Sequence, residues 1–253
     1  MSDSVSVDGV AVGADTDWRT RIAAHLAGPP VWSQREDRSP LDGLTRLWRT
    51  LSDAAPQWLG EVGAALASEL WSSPVGMAVG ARFFSNFSGA PGADDFRREL
   101  VARWAKIPST LDNPLPGGVA PKLRDELLRC ALQSAPKEVA VDASLLDLIR
   151  RETLASGGAA QAVITPLALR DYPWVAQNAE TILRAHPEAG YGLALAMEFA
   201  GQKPEDAVRW VFRHAPAVSR RDFAWYIRRI VPTEAQAELL TQLASLSDLP
   251  SPA

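Results

Sequence analysis

The sequence predicts an all-α protein, an irregular stack of antiparallel helical hairpins of the α-solenoid-like or multi-helix-bundle kind. Apolar residues recur along nearly the whole chain at spacings of three and four, and no stretch sustains the apolar/polar alternation of a half-buried strand. Proline and glycine punctuate this pattern at short intervals. In the last third the breaks are so short that successive helices are forced to pack antiparallel.

The elements follow in order. Residues 1–16 are small, polar and acidic, and are expected to form a disordered lead-in too poor in apolar surface to offset the entropy of ordering. They have no basic start and no apolar core, so no secretory signal is expected. Thr16 or Asp17 can cap a helix from Trp18 to Ala27, which Gly28-Pro29-Pro30 stops. A charged connector carrying Trp32 leads to Leu41, Leu44, Leu47, Trp48 and Leu51, which share one helix face. Pro56 opens a helix to about Trp71 and Pro74 another to about Phe87. Asp94-Asp95 supplies a cap and first-turn negative charge for a helix from Phe96 to Ile107.

The longest break, 107–118, holds three prolines and two glycines and reads as a linker or functional loop. It separates an N-terminal helical part, 17–107, from C-terminal hairpins over 120–246, with 108–119 between them and a disordered tail at 247–253. Helices are expected at about 120–135, 142–156 (capped by Asp142), 159–170, 173–185, 188–200, 205–214, 219–230 and 233–246. Tyr191 to Pro216, with small residues on its first helix, a glycine turn and an Asp206-Ala207-Val208 start to its second, resembles a tetratricopeptide-type hairpin. The 34-residue spacing of that family is not repeated on either side, so the resemblance implies a mode of helix-pair packing rather than membership.

Composition narrows the function classes. The 253 residues are 47% hydrophobic and carry a net charge of -4, which argues against a protein that coats nucleic acid or an anionic membrane. The apolar run from Val62 to Phe87 is interrupted by Glu69, Arg82 and Pro74, so it reads as core and no membrane contact is expected. Cys130 is the sole cysteine and lies on an apolar helix face, where a thiol packs as a small inert hydrophobe. A chain without disulfides suits a reducing compartment, and a cytoplasmic location is expected. His25, His186 and His214 never cluster with it, so no metal or other cofactor is expected. His186 and His214 each end a helix, where a cationic or donor side chain meets free carbonyls. No nucleophile elbow, phosphate loop or zincin motif is present, and no catalytic residue is nominated. Only four of the 26 basic residues are lysine, which with the abundant alanine fits a high-GC coding bias.

One region has a charge signature. Lys203 to Val231 holds seven basic residues against three acids in a chain that is acidic overall. Arg209 and Arg213 are four apart and share a face. Arg221, Trp225 and Arg228 share another, opposite a stripe of Phe223, Ile227 and Ile230. Nine tryptophans should mostly be core, with some available as anchors, Trp32 among them. The expectation is a non-enzymatic scaffold or adaptor that binds another protein, part of a larger bacterial assembly. Its contact residues would be Arg209, Arg213, Arg221, Trp225, Arg228 and Trp32, with the Asn113–Val119 loop as a further candidate contact. The alternative is a helical subunit of a ribonucleoprotein or DNA-binding complex that contacts nucleic acid through 203–231.

Overall fold

The computed structural model describes residues 5–7, 10–12, 15–27, 40–115, 120–155, 160–215 and 217–249. Among these the architecture is all-α, with twelve α-helices and four strands of two or three residues. Two compact units are formed, Met1–Leu145 and Leu146–Ala253.

The first unit opens on a two-stranded antiparallel pair, β1 (Val5–Val7) and β2 (Val10–Val12), within the segment expected to be disordered. Its register pairs Val7 with Val10, which leaves the two residues Asp8-Gly9 as the connection. Asp-Gly between β-branched residues is a strong hairpin signal, and three-residue strands are too short for alternation to stand out. Helix α1 (Trp18–Leu26) is capped by Asp17, whose Oδ1 accepts from the Thr20 N–H at 3.2 Å. The connector with Trp32 lies outside the described residues.

Helices α2 (Pro40–Ala54), α3 (Leu59–Glu69) and α4 (Pro74–Asn86) follow, α3 flanked by 3-10 turns at Pro56–Trp58 and Leu70–Ser72. They enclose an aromatic core. Trp48 meets Phe83 edge-on at 5.2 Å, and Phe84 stacks on Phe96 at 5.5 Å. Phe96 belongs to α5 (Ala93–Arg103), whose cap is Gly92 at φ 86; Asp94 and Asp95 lie inside its first turn, not at the cap. A Cβ on Gly63 would lie 2.0 Å from the Pro91 carbonyl oxygen, so α3 and the turn before α5 meet backbone to backbone.

The proline-rich break belongs to this unit and does not mark its boundary. Asp112 and Lys122 form an isolated bridge and a 2.6 Å ion pair, and the Asn113 side chain donates to the Ala120 carbonyl at 2.8 Å. Residues 116–119, part of the expected contact loop, lie outside the described residues. Helix α6 (Leu123–Ser134) then packs on α4 through Arg82–Glu126 and Ser85–Gln133 hydrogen bonds, which ties the chain beyond the loop to what precedes it. The division falls instead within α7 (Ala143–Leu154), where Asp142 accepts from the Ser144 N–H at 2.9 Å.

In the second unit, the two helices expected at 159–170 and 173–185 are both present and meet at a kink within the span α8 (Ala160–Ala185), where Asp171 leaves helical geometry at φ -150, ψ 58. Pro173 provides the reason, since it has no N–H and its ring crowds the carbonyl four residues back. Helices α9 (Gly190–Phe199) and α10 (Pro204–His214) form the hairpin expected around Gly201, which sits at φ 89 just past the end of α9. Strand β3 (Ala217–Val218) leads into α11 (Arg220–Arg229) and α12 (Thr233–Ser245), and β4 (Ser247–Asp248) pairs with β3 in parallel. That pairing falls in the segment expected to be a disordered tail. No helix among the described residues is long and apolar enough to cross a membrane.

Candidate functional site

Helix α11 carries the basic surface, and its inner face fixes it to the unit. Phe223, Tyr226 and Ile227 are buried, with Phe223 5.2 Å from Phe212 and 6.1 Å from Tyr191. The Tyr226 hydroxyl donates to Glu198 at 2.6 Å. Burial, and then that bond to an anion, push the Tyr226 phenol well above its ordinary range. Ile230, expected in the same stripe as Phe223 and Ile227, is exposed, because α11 ends at Arg229 and Ile230 is its cap. At the other end Ser219 caps the helix, its Oγ accepting from the Asp222 N–H at 3.3 Å. Arg220 is tied down by the Leu246 carbonyl and by Asp248 at 3.1 Å.

The outer face is different in kind. Arg221, Ala224, Trp225, Arg228 and Arg229 line a shallow depression of about 470 Å³, and Trp225 is 53% exposed within it. Spacings of three and four place these residues on one face. None of the three arginines has an ion-pair or hydrogen-bond partner among the described residues. Arg228 and Arg229 occupy the last turn, where the helix dipole favours cations. Arg221 occupies the first turn, where the same dipole opposes a cation, so neither dipole nor ion pair accounts for it.

Arg209 and Arg213 do not join this face. Arg209 is held by Glu238 at 2.9 Å and Asp206 at 3.3 Å, which is internal pairing. The Arg213 Nε donates to the Arg209 carbonyl at 3.3 Å, and both arginines border a separate depression between α10 and α12. The single basic region of the sequence therefore resolves into two surfaces. Arg229 and Ala224 were not among the expected contacts, although Arg229 follows Trp225 by four and was legible by the same periodicity.

Elsewhere three arginines lie over tryptophan rings. Arg103 lies over Trp71 at 5.5 Å, Arg124 over Trp104 at 4.2 Å and Arg150 over Trp174 at 5.8 Å. Trp18, Trp48 and Trp104 are buried, and Trp210 stacks on His214 at 4.3 Å. The His214 Nδ1 lies 2.7 Å from the Trp210 carbonyl, the helix-end use expected of it. His186 instead is buried, with Nδ1 3.4 Å from Glu188. A larger depression, about 680 Å³, lies between α5 and residues 139–145. Its charges are committed: Arg97 to Asp94 and to Ser134 at 2.9 Å, Arg98 to Asp95 at 3.1 Å, and Asp142 to the α7 cap.

Cys130 is wholly buried, its Sγ 3.6 Å from Glu126 Oε1, and burial pushes its thiol up to about 12. A thiol held protonated is a poor nucleophile. Folded protein is therefore expected to resist alkylation by iodoacetamide at mildly alkaline pH and to react once denaturant is added; equal rates in the two states would contradict this. Among the described residues no three histidine, cysteine or acidic side chains gather as a metal site.

None of the protein-family models, curated proteins or solved structures compared with the chain matches it.

Proposed function

We propose that the protein is a non-enzymatic scaffold or adaptor that binds another protein through the outer face of α11, working in the cytoplasm as part of a larger bacterial assembly. The observation that carries this reading is Arg221, a cation without a partner among the described residues in a helix's first turn, beside a tryptophan left 53% exposed. Tryptophan and arginine are the side chains most enriched at binding hot spots. Both sit on a helix whose opposite face is buried, so the surface is presented rigidly.

Nucleic acid is the weaker reading. It draws on Arg209, Arg213, Arg221, Arg228 and Trp225 together, and the first of these is neutralised by Glu238 and Asp206 while Arg213 faces α12. A polyanion also meets a chain of net charge -4.

The test places a photo-crosslinking residue at position 224, beside Trp225, in the source cell. A discrete protein adduct is expected, lost when Arg221 and Arg228 are both changed to glutamate. Crosslinks to nucleic acid alone, or none above background, would overturn the proposal. Replacing Trp225 with alanine should leave stability within about 0.5 kcal/mol, as for surface positions in general, while removing the adduct-forming contact.

A further inference from the structure

We infer that the partner segment is an acidic amphipathic helix, with carboxylates two turns apart flanking a large apolar side chain that covers Trp225. This inference rests on the protein-binding reading of α11 and names the chemistry that fits it.

The spacing of the charges decides the shape of the ligand. Arg221 and Arg228 are seven residues apart on one helix, about 10 Å along its axis. A single phosphate or carboxylate meets both only if the two side chains converge over Trp225, which the ligand must then leave uncovered or displace. Two carboxylates meet both without that convergence when they too are seven residues apart on a helix lying along α11, and the residue between them then falls against Trp225. The sequence Arg221, Trp225, Arg228 reads as charge, apolar, charge, and its complement is acid, apolar, acid at the same intervals. Arg229 lies at the end of the same face and extends the positive field by one position.

The floor of the depression favours an apolar anchor over a nucleotide backbone. Arginine keeps its charge in water while its methylene stem covers apolar surface, so three stems, Ala224 and the indole ring make a greasy strip with cationic edges. An amphipathic helix is the ligand whose own cross-section has that pattern, an apolar stripe bordered by charge. Charge complementarity also selects it. Asp222, the one acid on α11, is a first-turn residue and does not line the depression, and no carboxylate among the described residues pairs with its arginines. A contact of two or three helical turns falls at the small, transient end of interfaces, below about 1,200 Å². Binding should accordingly be reversible and weakened by salt.

The experiment uses the full chain and fluorescence anisotropy with three labelled probes. The first is a designed helical peptide of about five turns with glutamates seven residues apart bracketing leucine. The second has the same composition with its glutamates moved to the opposite face, and the third is single-stranded oligothymidine. The matched peptide is expected to bind at least about tenfold more tightly than the rearranged one, and raised salt should weaken it. Reversing both charges, Arg221→Glu with Arg228→Glu, should abolish binding. A peptide with lysine in place of glutamate should restore it, which a misfolded variant could not do.

Equal binding of the two acidic peptides would overturn the proposed register while leaving the protein-binding reading to the crosslinking test. The same holds if no probe binds. Preferential binding of the oligonucleotide would overturn both.

Discussion

Replacing Glu126 with alanine is expected to destabilise the first unit by about 3–5 kcal/mol, the cost of breaking a buried ion pair from one side. The Glu126 carboxylate has no exposed surface and accepts from Arg82 at 2.6 Å and Arg129 at 2.7 Å. Arg82 comes from α4 and Glu126 from α6, so the carboxylate joins two helices as well as neutralising two cations. Its removal leaves both guanidiniums facing each other in a site mostly closed to water. Glutamine should cost less than alanine because it keeps an acceptor but not the charge. Urea unfolding of the three proteins checks the order.

The same group gives a pH dependence. Burial raises the Glu126 carboxyl, but the hydrogen bonds and charges of Arg129 and then Arg82 outweigh it and hold it below its ordinary value. A folded-state value below the unfolded one, about 4.3, means stability that is complete above that value and is lost as pH falls through the folded one. The wild-type advantage over Glu126→Gln should therefore shrink in acid. An advantage that stays constant down to strongly acidic conditions would contradict this assignment.

Gly63→Ala is expected to destabilise by about 2–3 kcal/mol, the range of overpacking in a well-filled interior. The sign is diagnostic, because alanine in a helix interior ordinarily gains roughly 0.5–1 kcal/mol over glycine. At Gly63 the new methyl group would stand 2.0 Å from the Pro91 carbonyl oxygen, a backbone atom that cannot swing aside. The approach is reciprocal, since a Cβ on Gly92 would lie 2.2 Å from the Gly63 carbonyl oxygen. Gly60 is the control, on the same helix with nothing within 4 Å, and Gly60→Ala should be neutral or stabilising. Thermal unfolding of the two variants tests the contrast, and a stabilised Gly63→Ala would show that the two backbones do not meet as described.

The helices were legible because their causes are local. Asp17, Ser73 and Asp142 each lie where a cap is needed, and each accepts a backbone N–H at the start of its helix. The hairpin at Val5–Val12 was missed although Asp8-Gly9 announces it, because a search for long periodic runs passes over strands of three residues. Whether the proline-rich break, read as a linker or functional loop, divides the chain was not legible, for a related reason. Proline and glycine say that the chain turns, not whether both sides then pack on the same core, and α4 with α6 packs across this one.

The α11 surface shows the same division. Sequence by itself determined that Arg221, Trp225 and Arg228 share a helix face and that Phe223 and Ile227 oppose them, because a helix repeats at a fixed angle whatever surrounds it. It also determined the excess of cations between Lys203 and Val231. Only the tertiary structure decided which of those cations are spent. Glu238, on a helix nearly thirty residues further along, takes Arg209, and Leu246 with Asp248 takes Arg220. Arg221 and Arg228 receive no such partner among the described residues. The physical reason is that ion pairing depends on distance in space, and residues far apart in the chain meet only once the fold has placed them.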